Sequence, residues 1–132
     1  MSAPITVVAA VIEQNGRILI CQRRRGDRFG LQWEFPGGKV QAGETPQQAL
    51  ARELREELNV SAQIGEEIHR TYHRYPEIDR ELELLFFAAT LGAQPPVNLA
   101  FEQFVWAERA RLADYDFLPA DRGLVERLSL TK

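Results

Sequence analysis

The chain has 132 residues, with 16 lysines and arginines against 19 aspartates and glutamates and a net charge of −3. That length suits one domain with an ordinary core, and a composition 45% apolar and 27% charged is that of a globular protein, not a disordered one. No Lys/Arg run is long enough to track a nucleic-acid backbone, which argues against a nucleic-acid polymer as partner.

The trio Arg23, Arg24 and Arg25 is a basic cluster of a size to meet a small polyphosphate. The N-terminal apolar run lacks a basic leader and ends too soon for a membrane span, so no membrane partner is expected. Cys21 is the single cysteine, so core packing is its expected role and no internal disulfide can form. A cytoplasmic protein, monomeric or homodimeric, is the resulting expectation.

Taken in chain order, ITVVAAVI (5–12) is β-branched and apolar and predicts a buried strand. Asn15-Gly16 is a hairpin signal, and RILICQ (17–22) alternates as a returning strand should. Residues 23–33 read as a charged, glycine-containing loop, and Gly37-Gly38 as a place where the backbone turns sharply and can approach a ligand closely. A helix follows from Pro46. Strands are expected at 62–74, 82–91 and 101–107, with a loop at QPPVN between the last two. From Pro119 the tail turns helical, with Leu124, Val125 and Leu128 on one face. Strands with interspersed helices and no internal repeat point to an α/β fold in a single domain, 1–132.

The central helix carries the chemistry. Thr45 suits the N-cap, Pro46 the first helical position, and Gln48 completes a capping box. Asn59 can adopt the left-handed conformation that ends a helix. Leu50, Leu54 and Leu58 form an i, i+4 stripe, and Glu53, Glu56 and Glu57 fall within about 100° beside it. Like charges so spaced cost roughly 0.2–0.5 kcal/mol per pair, and the helix dipole repels them near its C-terminal end. Something positive must compensate. Arg52 can do so with Glu56, and on this helix alone ELREEL also suits a solvated face laced with salt bridges. The sharper possibility is a divalent cation site, since clustered hard oxygens suit Mg²⁺ or Mn²⁺. Lys39 adds a point charge for phosphate, and Glu44 stands directly before the helix.

This stretch resembles the Nudix hydrolases, whose signature runs G-x5-E-x7-R-E-U-x-E-E-x-G-U with U aliphatic. Gly38, Glu44, Arg52, Glu53, Leu54, Glu56, Glu57 and Val60 occupy matching places over residues 38–60, with Asn59 where the late glycine stands. The resemblance implies an α/β/α sandwich with a mixed central sheet. It makes Glu53, Glu56 and Glu57 metal ligands helped by Gly38 backbone, with one of the glutamates readying water. Arg52 would hold the carboxylates, Glu44 would support them, and Glu102 is the candidate to complete the metal site. Mg²⁺, or Mn²⁺, is the implied cofactor.

The phrase EFPGGK resembles the MutT branch, the nucleoside triphosphate pyrophosphohydrolases that clear oxidised guanine nucleotides such as 8-oxo-dGTP. That implies a nucleotide substrate, with Arg23 near it and Phe35 either against the base or in the core. Asp121 stands where relatives read the base. If ionised it accepts only and suits the N1–H and N2–H₂ of guanine, whereas cytosine needs it protonated. Asp121 can equally cap the last helix. A CTP-preferring or another Nudix diphosphatase, acting on nucleotide sugars or dinucleotide polyphosphates, is the enzymatic alternative. A nucleotide-binding module is the non-enzymatic one, against which the intact RELREE run argues.

Overall fold

The computed structural model describes residues 4–77 and 79–131; of the expected 1–132 span, Met1–Ala3, Ile78 and Lys132 lie outside the described residues. The first strand, β1 (Ile5–Gln14), turns through Asn15 and Gly16, at φ 53° and 77°, into β2 (Arg17–Gln22). Both turn residues are left-handed, as the two-residue hairpin requires. After the loop come β3 (Trp33–Glu34), β4 (Gly37–Lys39) and α1 (Pro46–Leu58). Then follow β5 (Ala62–Tyr75), β6 (Arg80–Leu91), β7 (Gln103–Glu108) and α2 (Arg122–Leu130).

The sheet is mixed. β1 runs parallel to β6 from Ile5↔Leu82 to Ile12↔Ala89, and β5 lies antiparallel to β6 on the outside. The other side of β1 is divided: Val7–Ala9 pairs with β4, and Glu13–Gln14 pairs with β2. β2 in turn pairs with β3 and β7.

β1 is apolar at consecutive positions because both its faces are buried. Val8, Ala10 and Ile12 face the core under α1, with Leu50, Leu54 and Leu58. Ala9 and Val11 face the opposite core, under Leu124, Val125 and Leu128 of α2. Each fully buried leucine stabilises the layer by about 1.5–3 kcal/mol. The α/β/α sandwich expected from the sequence is the fold observed. Cys21 is a buried core residue. Among the described residues no helix is long and apolar enough to cross a membrane.

Several local expectations are corrected. Gly37-Gly38 is strand β4, not a turn. Its glycines are needed for close approach, since a Cβ on Gly37 would lie 1.9 Å from the Val8 carbonyl oxygen. The strand expected at 101–107 is displaced to Gln103–Glu108, because Phe101 leaves the sheet for the core under α1. A 3-10 helix at Arg109–Asp114 follows it, unforeseen because it buries only Leu112. Asp121 does not cap α2: it closes a short 3-10 turn with φ −91° and makes no capping hydrogen bond.

Candidate active site

The helix α1 is built as its sequence requires. Gln48 N–H donates to Thr45 Oγ1 at 3.1 Å and Thr45 N–H to Gln48 Oε1 at 3.0 Å, a closed capping box. At the other end Asn59 sits at φ 56° and its N–H donates to Arg55 O at 3.1 Å. Two further helix-end carbonyls are satisfied from a distant loop, by Val97 N–H to Leu58 O at 2.8 Å and Leu99 N–H to Glu57 O at 3.0 Å.

Arg52 is the hub of the acidic face. Its Nε and Nη2 donate to the two Glu44 oxygens at 2.7 and 3.0 Å, and Nη1 reaches Glu53 at 2.9 Å and Glu56 at 3.3 Å. Nη2 also donates to Lys39 O at 3.1 Å, so the guanidinium ties the helix to β4. Such a multiply bonded fork is beyond a lysine. The Arg52 bonds, with the Gln41 N–H second, hold the Glu44 carboxyl below its ordinary pKa. Glu44 thus has a two-bond partner in Arg52, while Glu53 and Glu56 share its Nη1.

Glu53 and Glu57 are in a different position. Glu53 packs so closely on β4 that a Cβ on Gly38 would lie 2.4 Å from its carboxyl carbon. Glu57 accepts from Gly37 N–H at 3.2 Å. Burial, then the neighbouring Glu53 and Glu34, push the Glu57 carboxyl up to about 9. Arg52 answers part of the Glu53 charge at 2.9 Å, but Glu57 makes no ion pair among the described residues, and crowded hard oxygens suit a divalent cation. The donors therefore fit the ion. Among the described residues no three Asp, Glu, His or Cys side chains converge as a metal cluster. Glu56 turns out to Arg52. Glu102 is exposed, and its backbone N–H is anchored to Gln22 O at 2.9 Å.

Beside these groups lies a cleft of about 370 Å³, lined by Arg23, Glu34, Gly38, Lys39, Glu57 and Asp121 among others. Lys39 is exposed at its edge. Arg23 bonds Glu34 at 3.1 Å and the Arg28 carbonyl at 2.7 Å, so it braces the loop as well as lining the cleft. Phe35 is 3% exposed, its ring against Phe86 at 5.9 Å and Phe117 at 5.3 Å, so it is a core residue and not an open stacking surface.

Asp121 is 5% exposed and the one buried charged-type residue among those described. Burial, and secondly Glu34, hold its carboxyl well above the usual aspartate value, while the Phe35 N–H it accepts acts the other way. Glu34, Phe29 and Arg28 also line the cleft, and the sequence pattern did not single them out. Glu34 had a signal in its place beside the glycines. Phe29 had none, and Tyr75, which also lines the cleft, offers in sequence only an aromatic ring that can stack on a base or pack in the core.

A family model, the NUDIX domain, matches residues 2–128. The chain belongs to the Nudix family. It is similar to an 8-oxo-dGTP diphosphatase of Haemophilus influenzae, 38% identical over 97% of this chain and 94% of the relative. A CTP pyrophosphohydrolase of Escherichia coli is 40% identical over 92% of this chain and 89% of its own. Among solved structures, MutT from methicillin-resistant Staphylococcus aureus superposes with a TM-score of 0.79 at 32% identity, covering 98% of both chains. Nudix hydrolases depend on a divalent metal ion.

Proposed function

We propose that this Nudix enzyme is a nucleoside triphosphate pyrophosphohydrolase that uses Mg²⁺ or Mn²⁺, releases a nucleoside monophosphate and pyrophosphate, and accepts 8-oxo-dGTP. The observation that carries the reading is the joining of two features at one cleft: desolvated carboxylates on an Arg52-braced helix, and the buried carboxyl of Asp121. The names of the two relatives agree with it.

In this reading Glu53, Glu56 and Glu57 are the metal-holding side chains, assisted by Gly38 backbone. Arg52 is a positioning residue that fixes their spacing, with Glu44 locking the guanidinium in turn. A bound divalent ion supplies charge neutralisation at phosphate and a lowered pKa for water. Lys39 attracts the polyphosphate, and one of the α1 glutamates takes the proton of the attacking water. Glu102 faces solvent and contributes only if its loop moves inward. Arg23 holds the cleft wall, and Asp121 meets the polar edge of the base.

The test is pyrophosphate release with Mg²⁺ over 8-oxo-dGTP, dGTP, CTP, 5-methyl-dCTP, an ADP-sugar and a dinucleotide tetraphosphate. Rapid pyrophosphate from any triphosphate supports the reading, and turnover of the last two compounds alone refutes it. One observation favours a second reading, a CTP-preferring enzyme. The environment of Asp121 favours its protonated form, which offers one donor and one acceptor and so matches the cytosine edge.

A further inference from the structure

Five described residues other than glycine have positive φ: Asn15, Phe29, Leu31, Asn59 and Asp79. Asn and Asp enter the left-handed region readily, but Phe29 at 57° and Leu31 at 67° are bulky side chains held there against a steric cost. Between them a Cβ on Gly30 would lie 2.5 Å from the Arg25 carbonyl oxygen, so the loop is wound tightly. Such backbone persists only where its surroundings over-determine it.

They do so here. Arg23 N–H donates to Gln32 O at 2.9 Å and Leu31 N–H to Arg23 O at 2.9 Å, closing the loop at its base. Gln32 N–H donates to Phe29 O at 3.2 Å, Gln22 Nε2 to Leu31 O at 3.0 Å and Arg23 Nε to Arg28 O at 2.7 Å. The consequence is that Phe29 is held half-buried on the cleft. Its ring centroid is 4.9 Å from that of Tyr75, tilted by 43°, with the Arg28 guanidinium 5.5 Å above the Phe29 ring. Tyr75 is fixed in turn, since its hydroxyl accepts from the N–H of Ala120, the residue before Asp121, at 3.1 Å. Phe29, Tyr75, Arg28 and Asp121 line the same cleft. Filling space alone would need no aromatic ring and no left-handed backbone.

We propose that Phe29 is a substrate-binding residue: backed by Tyr75, with the Arg28 guanidinium over its ring, it is the stacking wall for the nucleobase whose polar edge meets Asp121. This rests on the reading of the cleft as a nucleotide site. The ring and the guanidinium over it offer stacking and cation–π attraction to any base, and Asp121 then chooses among bases.

The test compares wild type with Phe29→Asn, which accepts left-handed φ without the ring, Phe29→Leu, which keeps apolar bulk, and Phe29→Tyr, which keeps the ring. Binding of CMP, dGMP and inorganic pyrophosphate is read by calorimetry, separately from turnover of CTP and dGTP. Loss of one stacking contact should weaken both monophosphates about tenfold in the Asn and Leu variants and raise KM to match. Affinity for pyrophosphate, which has no base, should stay within about twofold, and Phe29→Tyr should match wild type.

Melting of Phe29→Asn at or above the wild-type temperature would mark relief of the backbone cost. Monophosphate affinity unchanged in both Asn and Leu variants overturns the proposal, as does parallel weakening of nucleotides and pyrophosphate. A wild type that cleaves no triphosphate yet shows this binding pattern would sink the proposed activity and leave the stacking wall standing.

Discussion

Gly38→Ala is the sharpest perturbation of the acidic face. The added methyl would meet the Glu53 carboxyl carbon at 2.4 Å and both its oxygens at 2.6 Å. Ordinary contact begins near 3.4 Å, so the carboxylate must retreat by about 1 Å. It is the far end of a flexible side chain, so the backbone need not move, and the stability cost should stay below about 1 kcal/mol. A displacement of about 1 Å in a catalytic group can cost on the order of 100-fold in rate.

Initial rates of pyrophosphate release should therefore show kcat down about 100-fold with KM changed less than about threefold. The neighbouring Gly37→Ala is the control, because its methyl would lie 1.9 Å from the Val8 carbonyl oxygen, which is backbone in the β1–β4 ladder. That variant should lose roughly 2–4 kcal/mol in urea unfolding. If Gly38→Ala keeps kcat within threefold while folding normally, the placement of Glu53 is not what the site depends on. Equal instability of the two variants would refute the contrast drawn between side chain and backbone.

Three other outcomes are expected. Arg52→Lys replaces a fork that bridges three carboxylates with one point charge, and kcat should drop about 100-fold while the KM for triphosphate changes little; an unchanged kcat would remove Arg52 from its positioning role. Mg²⁺ should raise the melting temperature of wild type by several degrees and that of Glu57→Gln by less, and an equal rise would place the ion elsewhere. Asp121 carries a raised carboxyl pKa, so the folded state binds the extra proton. Its contribution is whole below the unfolded aspartate value of about 3.9 and is lost as pH rises through the folded value. Asp121→Asn should remove that decline, and urea midpoints from pH 4 upward that fall as steeply as in wild type would contradict the assignment.

Much of this protein is decided by local chemistry and is legible in its sequence. Thr45, Pro46 and Gln48 start α1 and Asn59 ends it, because capping bonds join residues three or four apart. The spacing of Arg52, Glu53, Glu56 and Glu57 puts them along one helix edge whatever surrounds it, and a signature that long identifies the family. Asn15-Gly16 makes its hairpin for the same local reason.

What the fold decides is which of those charges are answered and what lies opposite them. Glu44, Glu53 and Glu56 all share Arg52, whereas Glu57 is pressed against β4 and makes no ion pair among the described residues. No periodicity could announce that Gly37 and Gly38 serve close packing in a strand, since the atoms that forbid a side chain there belong to residues 8 and 53. Asp121 has the residue type of a helix cap, and only the tertiary structure buries it on a cleft, where desolvation and then Glu34 raise its carboxyl pKa. Phe29 gains its place from a loop wound by Arg23 and from Tyr75, 46 positions along the chain. Contacts between residues so distant in sequence depend on how the strands align, and the short-range pattern of the sequence does not encode that alignment.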